Sequence, residues 1–262
     1  MTPELRRDLV LFLAGPALLT AAAAMLYQIA PWPVPIPAQA AVLQWQLVAP
    51  LLAAGLVGVA LASRIGCPPA AALSDRRRWA TLIGVSFAVG AALGAEGLAQ
   101  SLWPPIAQQF DILARQSGNA NVSTWVNVGL PWSIPHYLAA SVLLECLYRL
   151  APIPILTWLV SNVILRGRGQ TQTYWTVAAL AAAQEPLLWG LGMVHTALAP
   201  TTATFVALNS AETFAINLLE AYGLRRLGWP AAIVFRLGYY AAARVFLPYL
   251  LSPHSVNYPG PH

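Results

Sequence analysis

The sequence predicts an all-α, polytopic membrane protein of about seven transmembrane helices with a cytoplasmic N-terminus. Three observations carry that prediction. First, 58% of the 262 residues are hydrophobic and only 9% are charged, with a mean hydropathy of +0.61, whereas about 25% of the residues of a soluble domain are charged. Second, the apolar residues fall into runs of about 20, which at about 1.5 Å of rise per residue cross a hydrocarbon core of about 30 Å. Third, the basic residues concentrate in alternate loops. So few charges cannot cover a 28.0 kDa globule in water. This excludes a soluble enzyme, a secreted disulfide scaffold and a disordered chain.

The spans fall near 9–30, 41–62, 79–102, 137–165, 172–196, 203–224 and 229–251. The first is read as a span and not a cleaved signal peptide, because 27–37 offers no small-residue cleavage site. All 14 basic residues are arginine, and ten of them flank alternate spans: Arg6, Arg7, Arg64, Arg76, Arg77, Arg78, Arg166, Arg168, Arg225 and Arg226. Cytoplasmic loops hold the excess of arginine, so the N-terminus is expected inside and the C-terminus outside. The same rule accounts for the net charge of +5 without nucleic acid as a partner. The expected location is a cell membrane, multi-pass, with the bacterial inner membrane as the first choice.

Residues 1–262 read as one transmembrane domain, with three packing helices in 1–102, an outer loop in 103–136 and a four-helix core in 137–251. Within the outer loop, 104–116 reads as a short interfacial helix. Gly90 and Gly94 form a small-xxx-small pattern in the third span, which suits close helix packing. Cys67 and Cys146 are too few and too far apart for a disulfide framework.

Ionisable groups at membrane depth cost several kcal/mol and tend to face one another or a cavity. Glu145, Arg149, Glu185, His195, Glu212, Glu220, Arg236 and Arg244 all lie in spans four to seven, and Glu96 lies in span three. Glu145 and Arg149 are four residues apart and share a helix face, ahead of Pro152 and Pro154, which should break or kink the span. Spans six and seven form a hairpin about Gly228. Residues equidistant from that turn stand at equal height, so Glu220 faces Arg236 and Glu212 faces Arg244, a two-rung ladder of structural ion pairs. In span five His195 lies near the end and Pro186 permits a bend. Glu145, if it meets His195, could activate water with it. Depth arithmetic opposes convergence: Glu145 lies about 12 Å below the outer face, His195 near it and Arg236 about 10 Å above the inner one, so a Glu145–His195 contact needs span five to bend at Pro186 or its borders to shift by about two turns. No haem, nucleotide or dinucleotide motif is present, and one intramembrane histidine with isolated carboxylates falls short of a zinc site. No cofactor or metal is expected.

The order of these residues resembles the CPBP family of intramembrane proteases, which includes CAAX prenyl endopeptidases and bacteriocin-processing enzymes. The resemblance covers roughly 137–250 and rests on three stretches: Leu144-Glu145-Cys146-Leu147-Tyr148-Arg149, Leu191-Gly192-Met193-Val194-His195 and Arg236-Leu237-Gly238-Tyr239-Tyr240. The family's first motif has two adjacent glutamates before the arginine, and here Leu144 takes the first place. Its third motif has a histidine and, four residues on, an asparagine; here Arg236 and Tyr240 stand there. The resemblance implies glutamic-type peptide hydrolysis in the bilayer. Glu145 or Glu185 would activate water with His195, Arg149 would sit beside them, and Tyr240 or Arg236 would stabilise the oxyanion. The implied partners are the lipid bilayer and a membrane-bound or prenylated peptide. The alternative is a catalytically inactive scaffold, or a subunit or assembly factor of a membrane complex, whose partner is another membrane protein.

Overall fold

A computed structural model of the chain describes residues 1–32, 34, 40–70, 76–102, 128–194, 200–247 and 250. The described residues form helices and connecting turns, with no strand among them. Seven helical rods follow in order. They are α1 (Pro3–Ile29), α2 (Trp45–Ile65), α3 (Arg76–Leu102), α4 (Ser133–Ile164), α5 (Gln170–Val194), α6 (Pro200–Leu227) and α7 (Trp229–Tyr240, continued by Ala241–Phe246). Four stretches among the described residues are long and apolar enough to cross a membrane: α1, α2, Trp79–Gly97 of α3, and α4. The outer loop's interfacial helix at 104–116 falls outside the described residues.

Apolarity is distributed as a lipid-facing bundle requires. Leu18, Leu19, Met25 and Ile29 on α1 are exposed, as are Val57 on α2 and Val85 on α3. Only 22–28% of the apolar windows of α1 to α3 is buried, against 67% for α4, which makes α4 the central helix. Around it Phe12, Val59, Ile65, Ile153, Tyr174, Leu224, Trp229 and Ile233 form the main core, and Phe12 meets the Trp229 ring edge-on at 5.6 Å. A smaller cluster at the other end joins Trp32, Leu43, Tyr137 and Val245.

The N-terminal helices dock through glycines. A Cβ at Gly90 would overlap the Phe235 carbonyl oxygen, and one at Gly94 the Tyr239 carbonyl oxygen, while Gly238 on α7 sits against the Phe87 carbonyl. The small-xxx-small pattern of α3 is therefore its seam with α7, where missing side chains let the two backbones approach. Gly58 of α2 lies in the same way on the Leu150 carbonyl of α4.

The prolines of α4 widen the helix instead of breaking it. Pro152 has no N–H to donate, so the chain skips a hydrogen bond, and the Ala151 N–H reaches back five residues to the Cys146 carbonyl at 3.1 Å. This π-type turn, Cys146–Leu150, carries Arg149. A second one, Ala241–Phe246, carries Arg244 in α7. Between α6 and α7 the chain reverses at Gly228, whose φ of 90° is open to glycine and strained for other residues.

Candidate functional site

Helices α4, α5, α6 and α7 converge on a buried polar cluster. Arg149 Nη1 donates to Glu145 Oε1 at 2.5 Å, one turn away on α4. Its Nη2 contacts both Glu220 Oε2 and Asn217 Oδ1 of α6. From α7, Arg236 Nε donates to the same Glu145 Oε1 at 3.1 Å, and its Nη2 reaches Glu220 Oε2 at 2.9 Å and Asn217 Oδ1 at 3.3 Å. Glu185 of α5 approaches the same Nη2 at 3.6 Å. Asn217 Nδ2 in turn donates to the Ala182 carbonyl of α5 at 3.2 Å. Glu145, Arg149, Asn217, Glu220 and Arg236 are all buried, whereas the Glu185 side chain keeps 26% of its surface.

The sequence-predicted Glu145–Arg149 and Glu220–Arg236 pairs are both present, but the second is not an isolated rung. Two guanidiniums and three carboxylates form one network, in which Arg236 touches every carboxylate. The span borders read from the sequence placed Glu145 and Arg236 at different heights, yet α4, which begins at Ser133 and not at 137, brings Glu145 Oε1 to 3.1 Å from Arg236 Nε. Glu212 and Arg244 are both half-buried. Glu96 is exposed near the end of α3, away from the cluster.

Beside the cluster lies a cavity of about 150 Å³ between α5, α6 and α7. Glu185, Glu220, Arg236, Tyr239, Tyr240 and Arg244 line it, together with Asn217 and other polar side chains of α6. Tyr240 packs its ring on Tyr137 at 5.3 Å, and the Arg236 guanidinium lies 6.0 Å above it. Glu145 is fully buried and does not line the cavity. His195 lies outside the described residues, so its distance to either carboxylate is not part of this geometry.

Asn217 is the residue that sequence reasoning missed. Its amide accepts from both arginines and ties α6 to α5. The signal was present, since Asn217 is three residues before Glu220 and shares its helix face. A second missed element stands where α2 ends. Arg225, assigned to topology alone, donates to the Ile65 carbonyl that ends α2 and lies 4.9 Å over the Tyr174 ring. Tyr174 itself donates to the Ala221 carbonyl at 2.6 Å.

Chemically, the cluster can hold four helices together, and the cavity can hold water or a small polar group against carboxylates and phenols. No family model matches the chain, and neither does any curated protein or solved structure.

Proposed function

We propose that the chain is a seven-span protein of the cell membrane, N-terminus inside, with a CPBP-like arrangement in which the peptidase centre has become an ion-pair core. Its function on this reading is that of a catalytically inactive membrane scaffold, or a subunit or assembly factor of a membrane complex. One observation carries the reading: Arg236, at the place of the third-motif histidine, donates to Glu145 and Glu220. A general base must reach its proton directly or through one water. Glu145 Oε1 is held by two guanidiniums, and Glu145 does not line the cavity beside the cluster. The departure at Leu144 supports the same conclusion, because the family's water-activating carboxylate belongs there.

A second reading keeps hydrolysis and moves the base to Glu185. It is favoured by Glu185 and Tyr240 lining one cavity, where the phenol could donate to an oxyanion. One assay separates the two. The chain, reconstituted in liposomes, is incubated with a fluorogenic farnesylated peptide and with a transmembrane peptide. The scaffold reading expects no cleavage above empty liposomes. Cleavage lost in Glu185→Gln would establish the second reading and overturn the first.

A further inference from the structure

The cluster does not balance in charge. Glu145, Glu185 and Glu220 face Arg149 and Arg236, which leaves one negative charge within the core. Arg244 also lines the cavity, and Glu212 and Arg244 both lie within electrostatic reach of Tyr239. Counting both leaves the surplus unchanged. The surplus also has an address. Glu220 is 1% exposed and lines the cavity; both arginines engage its Oε2, while its Oε1 has no hydrogen-bond donor. Across the same cavity Glu185 Oε2 likewise lacks a donor, held only by the 3.6 Å approach of Arg236. Buried polar atoms are normally hydrogen-bonded, and an exception calls for a partner.

We propose that this cavity binds the ammonium group of a small primary amine between Glu185 and Glu220. An ammonium supplies three donors and no acceptor, which meets the two open carboxylate oxygens and leaves one N–H for a neighbouring side-chain oxygen. Its single positive charge neutralises the core. The Tyr239 and Tyr240 rings beside it suit a cation. The volume of about 150 Å³ matches a guest no larger than a six-membered ring. The donor set points away from a metal ion, because no group of three His, Cys, Asp or Glu at ligating distance is found among the described residues. The amine's source is either a free metabolite or a lipid headgroup that carries a primary amine. The site does not rest on the scaffold reading, because it asks for binding and for no bond cleavage.

The test uses the full chain in nanodiscs made only of phosphatidylcholine, whose headgroup has no N–H. Ethylammonium chloride is titrated while the unfolding midpoint is followed. The midpoint is expected to rise with ethylammonium and to stay unchanged with tetramethylammonium or sodium chloride at equal concentration. Glu185→Gln, at the partly exposed end of the cluster, is expected to weaken the ethylammonium effect about tenfold, the loss of one charged hydrogen bond. Glu220→Gln should do the same, with Glu185→Gln as the safeguard if that variant does not fold. A response that tetramethylammonium reproduces, an absent response, or an unweakened one in Glu185→Gln overturns the proposal. A smaller ethylammonium effect in phosphatidylethanolamine nanodiscs supports it with a lipid headgroup as occupant, and an equal effect supports it with a free amine.

Discussion

Arg236 and Glu145 stand 91 residues apart in the chain, and Arg236 Nε donates to Glu145 Oε1 at 3.1 Å. That bond joins α7 to α4 and makes the ion pairs of the core interdependent.

Interdependence gives the first prediction. Exchanging the charges of Glu220 and Arg236 (E220R with R236E) is expected to destabilise at least as much as either single change, each of which should cost about 3–5 kcal/mol, the range for breaking a buried pair. An arginine at 220 would face Arg149, and a glutamate at 236 would face Glu145 and Glu185. Unfolding in mixed micelles on titration with SDS checks it. Recovery of the exchanged protein to near wild-type stability would restore the isolated rung.

Asn217 offers a sharper contrast. Asn217→Leu keeps the volume and removes the acceptor for two guanidiniums, at an expected cost of about 2–3 kcal/mol. Asn217→Asp keeps that acceptor for both guanidiniums, loses the donation to the Ala182 carbonyl and adds one negative charge, and should destabilise less. The same SDS titration ranks the two, and a reversed order would remove Asn217 from the network.

The glycine seam predicts a position effect within one helix. Gly90→Ala places a methyl on the Phe235 carbonyl and should cost about 1–3 kcal/mol through overpacking. Gly84, six residues earlier on α3, meets nothing within 4 Å. There alanine should be neutral or should stabilise by about 0.5–1 kcal/mol. Equal effects at the two sites would show that α3 does not dock through this face.

Cys67, just beyond the end of α2, is buried, and burial pushes its thiol from an ordinary 9.0 up to about 11 against a smaller downward pull from Arg225. Only the thiolate reacts with alkylating agents, so iodoacetamide at pH 8 is expected to leave Cys67 unmodified until the protein is unfolded. Between pH 9 and about 11 the folded chain keeps a proton that the unfolded chain has lost, so stability falls as pH rises through that window. Rapid labelling of the folded protein, read by intact mass, would contradict the burial.

Which features were legible in the sequence follows from the distance over which each contact acts. Hydropathy located the four described helices that are long and apolar enough to cross a membrane, because it depends on composition along a single helix. The Glu145–Arg149 pair follows from helical periodicity, and Glu220–Arg236 from reflection about one turn residue, Gly228. The approach of Arg236 to Glu145 depends on how α7 packs against α4, two helices whose contacting residues are 91 apart in the chain, and single-helix patterns do not encode it. The π-type turn of α4 depends on which carbonyl the N–H of Ala151 chooses just before Pro152, and periodicity does not encode that choice. Asn217 was passed over because it has no charge, although two charges depend on it.

The pairing of Glu145 with Arg149 inside one helical turn also bears on how the protein is made. A nascent α4 carries an acid and its base together and can leave the translocon as a near-neutral segment. Helices α6 and α7, delivered as a hairpin with Glu220 opposite Arg236, can do the same. Glu185 has no arginine on α5, and Arg236, which approaches it at 3.6 Å, is synthesised 51 residues later. On the proposed seven-span reading, α5 is therefore the charged helix of the core whose insertion is expected to wait for the last hairpin.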